Sequence, residues 1–201
     1  MEFINKKEIK LNRKLSSLDK LVLNFVSILE KYVDYVIISG YISILFGRAR
    51  ATEDIDIFIK KMKQEEFLRL YEALGRGGFW CLNAEKAEEV YNYLRDGLAI
   101  RFARKETSIP NFEIKFPKRA IDAETFEDSI NVFLSEGKII ISSLERQIAF
   151  KRYFLKSDKD IEDALHIEEI FKDKLDYDKI NKLKEIIEDN ERQERRQDYR
   201  K

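Results

Sequence analysis

The spacing of hydrophobic residues along the chain switches between helical and strand periods, and it predicts a mixed α and β fold. In SSLDKLVLNFVSILEKY, apolar residues recur every three or four positions, which predicts a helix capped by Ser16 or Ser17. The continuous apolar run YVIIS then predicts a short strand that is covered on both faces. A short helix, YISILFG, is predicted to follow and to stop near Gly47.

The segment TEDIDIFI, residues 52–59, alternates between apolar and polar positions and predicts a strand. Ile55 and Ile57 point to one side of it, and Asp54 and Asp56 point to the other. The strand therefore carries two like charges on one face of an otherwise apolar segment.

Helical periodicity recurs downstream in KQEEFLRLYEALGRGGF and NAEKAEEVYNYLRDG. Gly75 and Gly97 are the predicted stops of these helices, and Asn83 is the predicted cap of the second. The segments LAIRFAR, FEIKF and INVFLSEGKIIIS predict strands. In FEIKF, Glu113 and Lys115 share one face, while the apolar residues share the other.

From Ser143 onward the pattern is helical, and Ser157 is the predicted cap of a helix in this part. The last stretch, ERQERRQDYRK, has almost no apolar residue, which favours a solvated tail. The predicted organisation is a core over residues 1–142, a helical part packed on the core over residues 143–190, and a tail over residues 191–201.

Composition narrows the class of protein. The 201 residues hold 38 Lys and Arg against 38 Asp and Glu, so no global positive field argues for tight nucleic-acid binding. A charged fraction of 38% is typical of ion-pair networks at high temperature, and we expect a thermophilic source. One cysteine, Cys81, excludes an internal disulfide. Without a long apolar run or a signal-peptide pattern, we expect a cytoplasmic protein that has no membrane partner.

The paired aspartates indicate metal chemistry. At positions i and i+2 of a strand, they lie about 6.5–7 Å apart along the chain. In an apolar setting their repulsion raises at least one carboxyl pKa unless a cation lies between them. Oxygen ligands of this kind suit Mg²⁺ or Mn²⁺, which also bind substrate phosphates. The competing interpretation is an exposed strand end whose polar face happens to be acidic.

The residues ahead of the acidic strand are suited to phosphate. Ser39 and Gly40 form a small-residue turn between a strand and a helix, where free backbone N–H groups attract phosphate. Arg48 and Arg50 lie between this turn and the acidic strand, and a guanidinium can bind a phosphate in a bidentate way.

The order of small-residue turn, helix and R-x-T-x-D-I-D-I resembles the nucleotidyltransferases of the DNA polymerase beta superfamily, and most closely the toxin-like AbiEii-type (type IV) branch. Arg50, Thr52, Asp54 and Asp56 match that pattern, which implies that the two aspartates are metal ligands. The turn reads Ser-Gly here, where Gly-Gly or Gly-Ser is usual. The resemblance implies an α+β nucleotidyltransferase fold: a mixed β-sheet flanked by helices, with a helical C-terminal part.

The resemblance also implies a third carboxylate on a neighbouring strand, which ligates a metal and helps to deprotonate the acceptor hydroxyl. Glu113 in NFEIKF is the candidate, and Asp122 in RAIDAETFED is its rival in a less strand-like segment. The alternative role for Glu113 is that of a cross-strand salt-bridge partner.

AbiEii-type chains carry a helical lysine after the sheet, followed by a KD..D helix, and QIAFKRYFLKSDKDIEDALHI resembles both elements. The resemblance implies that Lys151 is catalytic and faces the nucleotide phosphates, and that Asp160 and Asp163 help to orient the site. The alternative for Asp160 is a favourable place in the first helical turn. The implied nucleotide-binding residues are Ser39, Gly40, Arg48, Arg50, Thr52, Asp160 and Asp163.

The resemblance implies transfer of a nucleoside monophosphate from a nucleoside triphosphate to an acceptor, with Mg²⁺ or Mn²⁺ as the cofactor. The acceptor class stays open between RNA such as tRNA, a protein and a small molecule. A toxin-like role implies an antitoxin partner. The alternative is a catalytically inactive module of the same fold that binds a nucleotide or a partner.

Overall fold

The chain forms two compact units in the computed structural model, which describes residues 1–198. The first unit comprises Met1–Ile42 and Ala51–Ser142, and the second comprises Ser43–Arg50 and the described residues from Ser143 onward. Of the predicted solvated tail, residues 199–201 lie outside the described residues.

The first unit contains one mixed sheet, which has nine strands within the described residues. The strands are β1 (Glu2–Asn5), β2 (Glu8–Lys10), β3 (Tyr35–Ile38), β4 (Asp54–Ile59), β5 (Phe79–Cys81), β6 (Ile100–Arg104), β7 (Asn111–Lys115), β8 (Ile130–Leu134) and β9 (Gly137–Ile141). Their order across the sheet is β1-β2-β8-β9-β3-β4-β7-β6-β5. The pairs β2–β8, β9–β3 and β4–β7 are parallel, and the other neighbouring pairs are antiparallel.

Helices accompany the sheet and make up most of the second unit. They are α1 (Ser17–Leu29), α2 (Gly40–Leu45), α3 (Gln64–Arg76), α4 (Ala87–Arg95), α5 (Ala120–Ala123), α6 (Leu144–Phe150), α7 (Asp158–Phe171) and α8 (Tyr177–Asp198). A π-helical turn, Lys151–Leu155, follows α6. The mixed sheet and its helices confirm the predicted α+β fold class.

The core of the first unit lies between α1 and one face of the sheet. The ring of Phe25 on α1 stacks on Phe112 of β7 with centroids 3.8 Å apart, and it meets Phe79 of β5 edge-on at 4.9 Å. Phe112 and Ile114 are fully buried, whereas Glu113 and Lys115 between and after them are not. The alternation in FEIKF therefore turns the polar residues of β7 away from this core.

Several predicted element ends differ from the structure. Helix α4 begins at Ala87, and the predicted cap Asn83 instead accepts a hydrogen bond from the backbone N–H of Arg101 at 2.6 Å. Helix α3 runs past Gly75 and ends at Arg76, and the N–H of the capping residue Gly77 donates a hydrogen bond to the carbonyl of Ala73. In the second unit, α8 continues through part of the predicted tail to Asp198. None of the helices described up to residue 198 has both the length and the hydropathy of a membrane span.

Candidate active site

The first unit brings Asp56 and Glu113 side by side on neighbouring strands. In the parallel pair β4–β7, Asp56 lies directly opposite Glu113, and Asp54 lies opposite Asn111. In the antiparallel pair β6–β7, Arg101 lies opposite Glu113. Directly paired residues project from the same face of a sheet, so Arg101, Glu113 and Asp56 form one polar row across three strands.

Lys115 places its ammonium group between the two carboxylates of that row. Its Nζ lies 2.8 Å from Oδ1 of Asp56 and 3.3 Å from Oε1 of Glu113. Both carboxylate side chains are mostly buried, with 18% and 15% exposed, and the lysine side chain is 27% exposed. Two carboxylate oxygens therefore lie within 3.3 Å of one point that holds a positive charge.

The charges of this row shift the affinity of its groups for protons. Burial raises the pKa of Glu113, but the charge of Lys115 and hydrogen bonds from Arg101 and Lys115 outweigh it, and the pKa ends below its usual value. Burial lowers the pKa of Lys115, but Asp56 and Glu113 outweigh it and raise that pKa. Arg101 adds a hydrogen bond of 2.5 Å from Nη2 to Oε2 of Glu113. Both pKa shifts favour the charged forms of Glu113 and Lys115.

Asp54 occupies the exposed start of β4, two residues before Asp56. The hydroxyl of Thr52 donates a 2.8 Å hydrogen bond to the backbone carbonyl of Asp54, which fixes the entry of the chain into the strand. Over residues 1–198, no three His, Cys, Asp or Glu side chains are gathered closely enough to hold a metal ion. Asp54 as a metal ligand beside the pair of Asp56 and Glu113 therefore stays a prediction.

The Ser39–Gly40 turn lies next to Asp56 in the sheet. Ile38, the last residue of β3, pairs with Asp56, so the turn starts one residue beyond that position. Ser39 adopts a left-handed conformation with φ +66°, and its carbonyl accepts a hydrogen bond from the N–H of Ile42 at 3.3 Å. Its role in binding phosphate stays a prediction.

Asp122, the rival third carboxylate, caps a helix. It is 5% exposed and accepts hydrogen bonds from the backbone N–H of Arg119 and from the guanidinium of the same residue. Glu113 lies in register with Asp56, and its role as the third carboxylate stays a prediction.

The second unit brings together five of the predicted site residues, and the central one is Asp163, whose side chain is fully buried. Arg48 donates a hydrogen bond to Oδ1 of Asp163, and Arg50 donates to Oδ2 at 3.0 Å. Nζ of Lys151 lies 2.8 Å from Asp163 and 3.0 Å from Asp160. We call these five residues the Asp163 cluster.

In the Asp163 cluster, burial raises the pKa of Asp163, but Lys151, Arg48 and Arg50 outweigh it and lower that pKa. Lys151 itself is 1% exposed, and its ammonium already contacts two carboxylates. The charges of the cluster are thus engaged within the second unit. Contacts of Lys151, Arg48 and Arg50 with nucleotide phosphates stay predictions.

The sequence interpretation missed the position of two cations, Lys115 and Arg101. The alternation in FEIKF did place Lys115 on the face of Glu113, which was the available signal. It could not show that Lys115 also reaches Asp56, because that contact needs the pairing of β4 with β7 across 59 residues. Arg101 needed the pairing of β6 with β7.

No protein-family model matches the chain, and no curated protein matches it. Among solved structures it is similar to an antigenic nucleotidyltransferase-like protein from Paracoccidioides brasiliensis, with 16% identity over 78% of each chain and a TM-score of 0.48. It is also similar to the antibiotic-resistance factor ANT(2'')-Ia, with 11% identity over 90% of this chain and 97% of that chain and a TM-score of 0.49. At these values neither similarity carries information on activity, which has to come from the side chains of this chain.

Proposed function

We propose that the chain is a metal-dependent nucleotidyltransferase, which moves a nucleoside monophosphate from a nucleoside triphosphate to an acceptor. The observation that carries the proposal is the shared cation position of Asp56 and Glu113, both of which lie within 3.3 Å of Nζ of Lys115. Two converging carboxylates on neighbouring strands are the donor type that Mg²⁺ and Mn²⁺ prefer. The residues present therefore fit a divalent cation.

Asp56 and Glu113 would hold the cation, and Asp54 at the start of β4 would add a third oxygen ligand. When bound, such a cation lowers the pKa of an acceptor hydroxyl and offsets the negative charge of the phosphates. Glu113, with its lowered pKa, stays ionised at neutral pH and can accept a proton only transiently.

The backbone around Ser39 and Gly40 is the proposed phosphate contact beside Asp56. Ser39 begins the turn in its left-handed conformation, directly after Ile38, which pairs with Asp56. This position supports the proposed phosphate contact. Lys151, Arg48 and Arg50 are proposed as contacts of the nucleotide phosphates on the sequence resemblance alone. Asp160 and Asp163 would hold these cations in place, as the hydrogen bonds of the Asp163 cluster support.

The acceptor belongs to one of three classes, RNA such as tRNA, a protein or a small molecule. We propose a toxin-like role with an antitoxin partner, which rests on the R-x-T-x-D-I-D-I motif alone.

A second candidate function is a binding module of the same fold without catalysis. The observation that favours it is the ion pairing of both carboxylates with Lys115, since a neutralised pair has less need of a metal. Labelling experiments separate the two candidates.

The test incubates the protein with each nucleoside triphosphate labelled at the α-phosphate, Mg²⁺, and RNA, protein or small-molecule acceptors in turn. We expect label transfer by the wild type and a loss of about a hundredfold or more in Asp56→Asn, because the variant loses a charged ligand at the reaction centre. The control Asp96→Asn removes an exposed carboxylate whose side chain is 59% exposed, and it should transfer normally. Nucleotide binding without transfer by the wild type would support the binding module instead.

A further inference from the structure

The ammonium of Lys115 occupies the point on which Asp56 and Glu113 converge. We propose that Lys115 is a resident counter-cation that competes with the divalent ion for these two carboxylates. The inference rests on the proposed function, because it concerns the same cation position. It assigns to Lys115 a positioning role, in which the lysine withdraws when the divalent ion enters.

Charge balance supports competition instead of simultaneous binding. Asp56 and Glu113 carry two negative charges, and Lys115 and Arg101 carry two positive charges within hydrogen-bond reach of them. These four groups together are already neutral, so a divalent ion added beside Lys115 would give them an excess of two positive charges, of which Asp54 would offset one. In a mostly buried site such an excess is costly, because little water screens the repulsion.

The structure also provides a second contact for the ammonium. Phe58 pairs directly with Lys115 in the β4–β7 register, and its ring centroid lies 5.9 Å from Nζ of Lys115. An ammonium within about 6 Å of an aromatic ring is attracted by the face of that ring. Nζ already lies within this range while it contacts the carboxylates. The four-carbon stem of lysine is flexible, so the ammonium can leave the carboxylates and keep its contact with the ring without any change in the backbone.

Lys115 also stabilises the sheet while no divalent ion is bound. Without it, Asp56 and Glu113 would face each other in register on adjacent strands, and like charges directly opposite each other destabilise a sheet. A lysine that neutralises the pair keeps the strands stable and still leaves the site open to a stronger cation. The consequence is that the site binds a divalent ion more weakly than its two carboxylates alone would.

The first test measures Mn²⁺ binding by electron paramagnetic resonance for the wild type, Lys115→Met and the control Lys118→Met. Methionine keeps the length of the side chain and removes the charge, and Lys118 is an exposed lysine three positions away. We expect the Mn²⁺ dissociation constant to fall by about tenfold or more in Lys115→Met and to stay unchanged in Lys118→Met. Equal affinity of wild type and Lys115→Met would overturn the competition while leaving the proposed function standing. Absence of Mn²⁺ binding to both proteins would overturn the proposed function and the inference with it.

The second test uses only the wild type and therefore does not depend on the folding of a variant. Reductive methylation followed by peptide mass spectrometry reports how accessible each lysine ammonium is. We expect slow methylation of Lys115 in the protein alone and a several-fold increase when Mg²⁺ is added, with Lys118 unchanged. A Lys115 that reacts equally with and without Mg²⁺, at concentrations where the metal binds, contradicts the proposal.

Discussion

Ser39 carries backbone strain at the residue between β3 and α2. Its φ of +66° lies in the left-handed region, which costs a residue with a side chain roughly 1–2 kcal/mol of free energy. Glycine has no Cβ, so it adopts this conformation without that cost.

We expect Ser39→Gly to stabilise the protein by about 0.5 kcal/mol. The relief of strain exceeds the extra conformational entropy that glycine brings to the unfolded chain by roughly this amount. Urea unfolding of the variant measures the change. Ser27→Gly is the matched control, because Ser27 is an exposed residue inside α1 and the same substitution there should lower the free energy of unfolding. A loss of unfolding free energy in both variants would show that glycine does not relieve the strain at Ser39.

The Asp163 cluster shows how far single residues can be read from the sequence. The KD..D pattern pointed to Asp160 and Asp163, the helical lysine before it pointed to Lys151, and the spacing already placed the two aspartates on one helical face. The pairing of Arg48 with Asp163 joins residues that are 115 positions apart. Local periodicity carries no information on such a contact, so the sequence offered only the phosphate interpretation for Arg48.

At the element scale, alternation predicted the central strands well because their two faces differ strongly in burial. In β4 and β7 the isoleucines and Phe112 are buried, whereas the charged residues Asp54, Asp56, Glu113 and Lys115 remain at least partly exposed. The sequence did not predict the short strands β1, β2 and β5, because three or four residues are too few to show a hydrophobic period. Their pairing is decided by the neighbouring strands and not by their own sequence.

Helix α1 is fixed at its start by a hydrogen-bond network around Asp19. The carboxylate accepts from the N–H and hydroxyl of Ser16 at 2.7 Å, from Arg13 at 2.8 Å, and from the phenol of Tyr41 at 2.9 Å. The sequence predicted a cap at Ser16 or Ser17, of which the structure has Ser16, but it did not predict the link from Asp19 to Tyr41 on α2. This network ties the start of α1 to the helix that follows β3.

We expect Asp19→Asn to lower the free energy of unfolding by about 2 kcal/mol. The amide has no charge and one oxygen fewer, so it leaves buried donors unsatisfied, and hydrogen bonds to charged groups contribute about 1.5–3 kcal/mol. Chemical denaturation followed by circular dichroism gives the change. Asp178→Asn, an exposed acid in the first turn of α8, should cost less than about 1 kcal/mol. Similar losses in both variants would mean that helix-dipole effects alone explain Asp19.

For the whole molecule, the total charge is balanced, but the buried charged side chains are not evenly distributed. The chain carries 38 basic and 38 acidic residues, yet its buried carboxylates are concentrated where cations meet them. The equal numbers of acidic and basic residues predicted a protein without net charge, and the hydrophobic periodicity predicted the fold class. The positions of the ion pairs depended on the register of the sheet and on contacts between distant segments, which neither signal contains.

Acid should therefore unfold the protein through a small set of carboxylates. Burial raises the pKa of Asp19, Asp160 and Asp163, but hydrogen bonds and nearby cations outweigh it, so each pKa ends below the ordinary value of 3.8. The unfolded chain then binds protons more tightly than the folded one, and the stability that these groups provide is full above about pH 5 and is lost as pH falls through 3.8 toward the folded values.

Urea unfolding between about pH 6 and pH 2.5 measures this loss, and each group contributes up to about 1.4 kcal/mol per pH unit. We expect the free energy of unfolding to be nearly flat down to about pH 5 and to fall steeply below pH 4. Asp160→Asn removes one of the three groups, so its curve should start lower at neutral pH and descend less steeply in acid. The variant and the wild type should converge at the lowest pH, where Asp160 is protonated and resembles the amide. Parallel curves over the whole range would show that the pairing of Asp160 with Lys151 does not differ between the folded and unfolded chain.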